Sequence, residues 1–457
     1  MTFKTTILFF IAFGAAKAQG IQGPFGGEYV PHAQNSICLT DPQRQAIHQQ
    51  LAESRLQLED QGKLPKRRSQ QNPTQVSLGW PVTKNPASPY NSVWSISGHV
   101  DHNSGYPFQV QDYNCGTRSY DTSGGYNHQG VDIFTYPFGW YQFENNESWV
   151  VAAAPGIIIG KVGNQYDMNC EFNSLDWNAV YVQHVDGSTA WYGHLKMNSL
   201  TTKPVGSSVI AGEYLGVIGS SGNSTGPHLH FEIYDAFDQL VDPYAGACNN
   251  TGNGTSWWAS QKAYYDPKIN AVLTHDADPE FSWCPDPETP NLRNSFAVGE
   301  TVYMYVYLAD ELAGSVANVT VQRPDNSILY DFEHSLQNMY YSSYYGWYLS
   351  PDALSQEGTY TITYNYQGDS VSHNFTYGEL NTIDHSQSSF YFYPNPSTTQ
   401  IKFSMPVKNL QFINMDGKRL LVPHTDMEAD ISSLPNGVYV VSGIDEEGFN
   451  FTKRLVK

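Results

Sequence analysis

The chain has 457 residues, with 44 Asp and Glu against 24 Lys and Arg, for a formal net charge of −20. That length exceeds one ordinary hydrophobic core, so several domains are expected. The acidity argues against a nucleic-acid partner, whose phosphates need a basic surface, and against tight electrostatic attachment to anionic cell walls. Tyr (32), Phe (22), Trp (10) and Gly (38) are abundant, a composition that suits sheets joined by turns.

The chain opens MTFKTTILFFIAFGAAKAQG. Lys4 is a positive n-region, Ile7 to Ala15 an apolar h-region, and Ala16-Lys17-Ala18 an A-x-A cleavage site. Residues 1–18 are expected to be a secretory signal peptide, too short to span a bilayer. No later stretch is apolar enough to cross one, so the mature protein is expected to be secreted or held at the cell surface. Residues 19–85 read as an N-terminal extension. DPQRQAIHQQLAESRLQLEDQ, from Asp41, predicts a helix with Asp41 as N-cap and Pro42 at N1. It runs into KLPKRRSQQNPTQ, a basic Gln/Pro/Ser-rich linker. Two readings stand: a propeptide released by cleavage near Lys66-Arg67-Arg68, or a permanent helical extension.

From residue 86 to 290 the pattern is short hydrophobic runs separated by Gly and Asn. VVAAAPGIIIGKVG (150–163), NAVYVQHV (178–185), STAWYGHL (188–195), YLGVIG (214–219) and HLHFEIY (228–234) predict strands. No helix-length periodic segment separates them, so the expected fold class is all-β, with an antiparallel sheet. Residues 291–378 carry strands at regular spacing and predict an immunoglobulin-like β-sandwich. A polar linker over 379–388 and a third β unit over 389–457 complete the chain. The five cysteines lack any CxxC pair, so disulfides are the better expectation in an oxidising compartment. The expected pairs are Cys115–Cys170 and Cys248–Cys284, with Cys38 left alone.

Chemistry concentrates in the 86–290 region. In NSTGPHLHFEIY, His228 and His230 stand at i and i+2 where a Gly-Pro turn enters a strand, on one face and roughly 6–7 Å apart. GGYNHQGVDIF holds His128 and Asp132. On a straight strand these would lie about 13 Å apart, too far to share an ion. Gly130 between them permits the backbone to fold back. WYGHL adds His194, with Tyr192 expected on the same face. His99 and His102 are expected in a surface loop, with lining of the groove as the alternative, and His184 is expected to face solvent or the sheet. Glu232 is expected to support a ligand or to pair with a surface cation. A catalytic zinc needs three protein ligands and an open position, and His, Asp and His would supply the three. No HExxH helix is present to carry a glutamate base.

HxxxD, then YGHL, then STGPHLHFE, in this order, resembles the lysostaphin/LytM-like zinc endopeptidases over about residues 95 to 245. The resemblance implies His128, Asp132 and His230 as Zn2+ ligands. It implies His194 and His228 as the catalytic histidines, acting on water and on the tetrahedral intermediate. The implied substrate is a peptide bond, in peptidoglycan cross-bridges or stem peptides. Two alternatives stay open: a metalloprotease of Gly-rich extracellular proteins, and a non-catalytic LytM-like binding or activator protein. At the C-terminus, FYFYPNPSTTQIKF, the PNGVY strand and the KRLVK end resemble the sorting domain of the type IX secretion system, which implies its machinery as a partner.

Overall fold

In a computed structural model, the described residues are 20–30, 37–65, 75–250, 254–282, 284, 287–378, 390–414, 418–446 and 450–457. The expected signal peptide, the KRR stretch and the 379–388 linker lie outside them. The fold is all-β with two α-helices among the described residues, and it falls into two compact units divided between Gly378 and Glu379. No described helix is long and apolar enough to cross a membrane.

The sheet that matters for function runs, strand beside strand, Trp94–Gly98, Val131–Thr135, His228–Tyr234, Thr189–Gly193, Ala179–His184, Gly156–Val162 and Ser208–Val209. Leu240–Val241 pairs with the far end of His228–Tyr234, and every pairing is antiparallel. Val131, Ile133, Leu229, Phe231, Ile233 and Tyr192 fill the core on one face, as strand alternation requires. The VVAAAPGIIIGKVG run is two strands. Ser148–Val151 joins a small sheet with Val82–Lys84 and Tyr214–Val217, whereas Gly156–Val162 stays in the main one. The intervening Ala-Pro-Gly lets the chain change sheet, which the continuous apolar run concealed. One short helix, Gly139–Asn145, also departs from the strand-only expectation.

The sandwich packs two sheets around a core that includes Trp347, Tyr360, Ile362 and Phe375. One sheet runs Ser295–Phe296, Asp369–Tyr377, Gly358–Tyr366, Ser315–Gln322 and Ile328–Leu336. The other runs Ile21–Glu28, Tyr340–Leu349, Val302–Glu311 and Lys268–His275. Thus residues 268–275 pair with the sandwich, and the N-terminal extension gives it an edge strand. IQGPFGGE has no alternating pattern and buries little, so its partner strand, rather than its own sequence, makes it extended.

The predicted helix forms over Asp41–Asp60. Its N-cap is Thr40 rather than Asp41: Thr40 and Gln43 make a reciprocal capping box, and Asp41 falls in the first turn. Leu51 and Leu58 dock on Ile159, Trp177, Tyr181 and Trp191. Arg55 donates to Gln183 (3.0 Å), Thr189 (2.8 Å) and Asp238 (2.9 Å).

The disulfides are Cys115–Cys248 and Cys170–Cys284, with Cys38 free. The expected pairs joined sequence neighbours. The fold instead brings the Cys115 loop to the segment after the main sheet, where Cys248 N donates to Tyr113 O at 2.9 Å. In the second unit, Val438–Asp445 and Asn450–Val456 pair antiparallel around the DEEG sequence, beside Val407–Asn414 and Arg419–Leu420.

Two histidines in the sandwich are buried with depressed basicity. Desolvation lowers His275 and His334 to about 4 each. Folding holds them neutral, so the unfolded chain binds more protons between about pH 4 and 6.5, and stability is full above that window and lost through it. Each ring is expected to cost on the order of 1.4 kcal/mol per pH unit within the window. The melting temperature should fall steadily from pH 7 to 4.5, and His334→Gln should reduce that slope. An unchanged slope in this variant would refute the assignment.

Candidate metal centre

The antiparallel register sets the cluster. Asp132 pairs directly with His230, and His230 pairs on its other side with Gly193. Directly opposed residues share a face, so Asp132, His228 and His230 all project away from the apolar core. The pairing brings Asp132 Oδ1 to 2.7 Å from His230 Nδ1. His128 precedes the strand, and the fold-back at Gly130 carries its Nε2 to 3.1 Å from Asp132 Oδ2 and 3.3 Å from His230 Nδ1. A Cβ on Gly130 would sit 2.6 Å from His230 Nε2, so the close approach of the backbone to that ring, rather than a left-handed φ, favours glycine there.

His194 arrives by a different route. Alternation would turn it toward the core, where Tyr192 packs against Phe231 with ring centroids 5.2 Å apart. His194 instead adopts φ 60°, left-handed and uncommon outside glycine. That turn places its ring 4.4 Å from the His228 ring. Tyr192 therefore does not share its face, contrary to expectation; its hydroxyl accepts from Ala153 N at 2.8 Å.

Each ring is fixed by an acceptor on its outer side. His128 Nδ1–H donates to His99 O (2.8 Å), His194 Nδ1–H to Ser221 O (2.6 Å) and His228 Nδ1–H to Gly226 O (2.9 Å). His230 Nε2–H donates to Glu232 Oε1 at 2.7 Å. Carbonyl and carboxylate oxygens only accept, so the opposite nitrogen of each ring is left facing the centre. His128, His194 and His230 are fully buried, and His194 Nε2 makes no hydrogen bond.

Glu232 supports His230 from behind. It is buried, and Arg44 of the N-terminal helix meets its Oε2 at 2.5 Å while Tyr234 donates to the same oxygen at 2.8 Å. Burial would raise the Glu232 carboxyl, but Arg44 and His230 pull it down to about 2. Burial would likewise raise Asp132, yet the imidazoles of His128, His230 and His228 hold it well below the carboxylate range. Burial opposes the charge on His128, but Asp132 lifts it to about 9. A pocket that draws protons onto imidazole this strongly suits a divalent cation, which would replace them.

His128, Asp132, His230 and Cys38 each offer a donor atom within 4.8 Å of the others, and Cys38, His194 and His228 form a second such group. The donor chemistry (two imidazoles, a carboxylate and a thiol) fits zinc. Sequence reasoning set Cys38 aside, although an unpaired cysteine in an exported chain was a signal. It also missed Arg44 and the carbonyls of His99 and Ser221. His99 is buried rather than in a surface loop, and His184 is buried at the end of Ala179–His184, the sheet alternative. His102 lies between Asp242 and Asn250, at 2.8 Å from each.

Beside the cluster lies a cavity of about 400 Å³, onto which Asp132 and His228 open. An antiparallel sheet presenting such donors beside a cleft is an arrangement that can hold a metal ion where a peptide could lie. The particular family follows from the match of residues 126–243 to peptidase family M23, and residues 391–457 match the secretion system C-terminal sorting domain. The chain thus carries a peptidase family M23 domain and a secretion system C-terminal sorting domain.

Over 55 residues it is 44% identical to the DD-carboxypeptidase/endopeptidase Mpg of Neisseria meningitidis serogroup B, covering 12% of each chain. Over 81 residues it is 32% identical to the peptidoglycan DD-endopeptidase ShyC of Vibrio cholerae, covering 18% of each. It therefore spans less than a fifth of these relatives' lengths. Among solved structures, the catalytic domain of lysostaphin from Staphylococcus simulans is 27% identical, covering 30% of this chain and 86% of that one, with a TM-score of 0.20.

Replacing Gly130 by Ala should displace the His230 ring and lower divalent-metal affinity by about 10- to 100-fold, the range for disturbed ligand orientation. Competition against a chromophoric chelator would measure it. An affinity equal to that of the parent chain would show that the close approach is not required.

Proposed function

We propose that the chain is a secreted zinc-dependent endopeptidase that hydrolyses peptide bonds in peptidoglycan. His128, Asp132 and His230 are its metal ligands, and His194 and His228 its catalytic residues. The observation that carries the reading is the convergence of three inward-facing donors beside a cleft, with two further imidazoles on the same face. When bound, zinc supplies Lewis acidity: a polarised carbonyl and a water of lowered pKa.

The two remaining histidines differ in a way that suits opposite tasks. Burial, followed by repulsion from His228, lowers His194. It is therefore neutral near pH 7, and its Nε2 lone pair takes the proton of the attacking water. Burial opposes the charge on His228, but Asp132 raises it, and its Nε2 lies 3.8 Å from Asp132 Oδ1. A protonated His228 donates from that nitrogen to the oxygen on which charge develops. Tyr29, Phe134, Trp140, Phe281 and Tyr344 line the cavity and offer apolar surface to a peptide. Tyr344 comes from the sandwich, which gives that region a part in the cleft. The peptidoglycan substrate class is supported by the names of the Neisseria and Vibrio relatives.

The test is digestion of purified peptidoglycan by the full chain bearing Cys38→Ala, followed as release of soluble fragments. Chelator should abolish release, and adding His128→Ala should abolish both release and metal retention. Adding His194→Ala should leave metal bound while reducing kcat by about 10²–10⁴-fold, the usual contribution of a general base. Hydrolysis that persists in the metal-free His128→Ala chain would overturn the reading.

For the sorting domain, deletion of residues 389–457 should leave the protein in the periplasm, scored by fractionation. Normal appearance outside the cell would refute a targeting role.

A further inference from the structure

We propose that Cys38 is a fourth protein ligand of the metal, a thiolate latch that closes the centre in the full-length chain and keeps it latent. The inference deepens the zinc-peptidase reading and rests on it for the identity of the metal.

Cys38 lies only two residues before the Thr40 N-cap, yet it is buried among side chains from distant parts of the sequence. Its Sγ lies within 4.8 Å of donor atoms of His128, Asp132 and His230, and equally of His194 and His228. The Tyr120 hydroxyl is 2.9 Å from the sulfur, and the Tyr120 ring stacks on His128 with centroids 4.3 Å apart. A merely structural buried cysteine sits among apolar groups; this one faces imidazoles and a carboxylate. A second observation points to a ligand at the same place, since the buried His194 Nε2 makes no hydrogen bond.

The segment is held in place on both sides of the sulfur. Asn223 donates to Ile37 O at 2.5 Å, Gln43 reaches Leu175 O at 3.2 Å, and Ser54 donates to Ile159 O at 2.6 Å. Arg44, six residues beyond Cys38, makes the ion pair that steadies Glu232 behind His230. The docked helix therefore delivers the thiol at a high effective concentration, against which a free substrate must compete.

The chemistry fits closure. A catalytic zinc keeps one position open for water, whereas four protein ligands make a closed, structural type of site. With two histidines and Asp132 already present, the Cys38 sulfur would fill the remaining position. On coordination the thiol proton passes to solvent, and on release the thiolate regains one, with no change of oxidation state. Opening requires only that the segment carrying Cys38 move away.

Zinc X-ray absorption on the metal-loaded full chain reads the ligand directly, without any variant or activity. One sulfur scatterer at about 2.3 Å beside nitrogen and oxygen at about 2.0–2.1 Å is expected, and Cys38→Ser should lose it. Alkylation by iodoacetamide, followed by peptide mapping, should spare Cys38 in the zinc-loaded chain and modify it after chelation. On peptidoglycan, Cys38→Ala should exceed the parent chain by at least about tenfold, as for a competent state populated at one part in ten or less.

A first shell without sulfur in the parent chain would overturn the proposal. So would equal hydrolysis by the parent and Cys38→Ala chains, because a closed site cannot turn over. Should sulfur be present while Cys38→Ala leaves peptidoglycan intact, the ligand assignment holds and the substrate reading falls.

Discussion

The pairing of Asp132 with His230 across two antiparallel strands is the constraint on which the site depends. Side chains alternate along a strand, so a slip of one residue between the two would turn one strand over, sending either Asp132 or the pair His228 and His230 into the apolar core. Val131 and Ile133 on one strand and Leu229 and Phe231 on the other oppose that slip, because the pair on the turned strand would be driven outward at the same moment. The polar residues of the candidate site and the apolar residues that fix its geometry are thus interleaved on the same two strands.

Polar groups on this face are buried, and the protein answers with hydrogen-bond partners for them. His128 leans on a backbone carbonyl and His230 on Glu232, which in turn leans on Arg44. A buried charge without a partner costs several kcal/mol, so the chain of contacts from Arg44 inward is one electrostatic unit. Arg44 belongs to the N-terminal extension. The same extension adds a strand to the sandwich, sets Tyr29 in the cavity wall and places Cys38 at the centre. This one segment thus contributes to the sheet edge, the cavity and the candidate site together.

The middle sandwich is likewise more than a spacer. Lys268–His275 leaves the main-sheet region and pairs with Val302–Glu311, Ser343 O accepts from the Tyr136 hydroxyl at 2.5 Å, and Tyr344 reaches the cavity. These contacts join the two β regions within the first compact unit and bring one sandwich side chain, Tyr344, to the cleft.

By itself, the sequence determined the all-β class, the helix beginning near Asp41 and the terminal strand pair, because alternation and capping act between near neighbours. It also marked His128, Asp132, His194, His228 and His230, since a metal-like constellation restricts residue type and local spacing. Tertiary structure alone decided the disulfide partners, the face on which His194 lies, the N-terminal edge strand, and the meeting of Arg44 and Cys38 with the cluster. Those outcomes join segments separated by many tens of residues. Their energies come from burial and register in the assembled sheets, and no local pattern in the chain encodes which distant surfaces will meet.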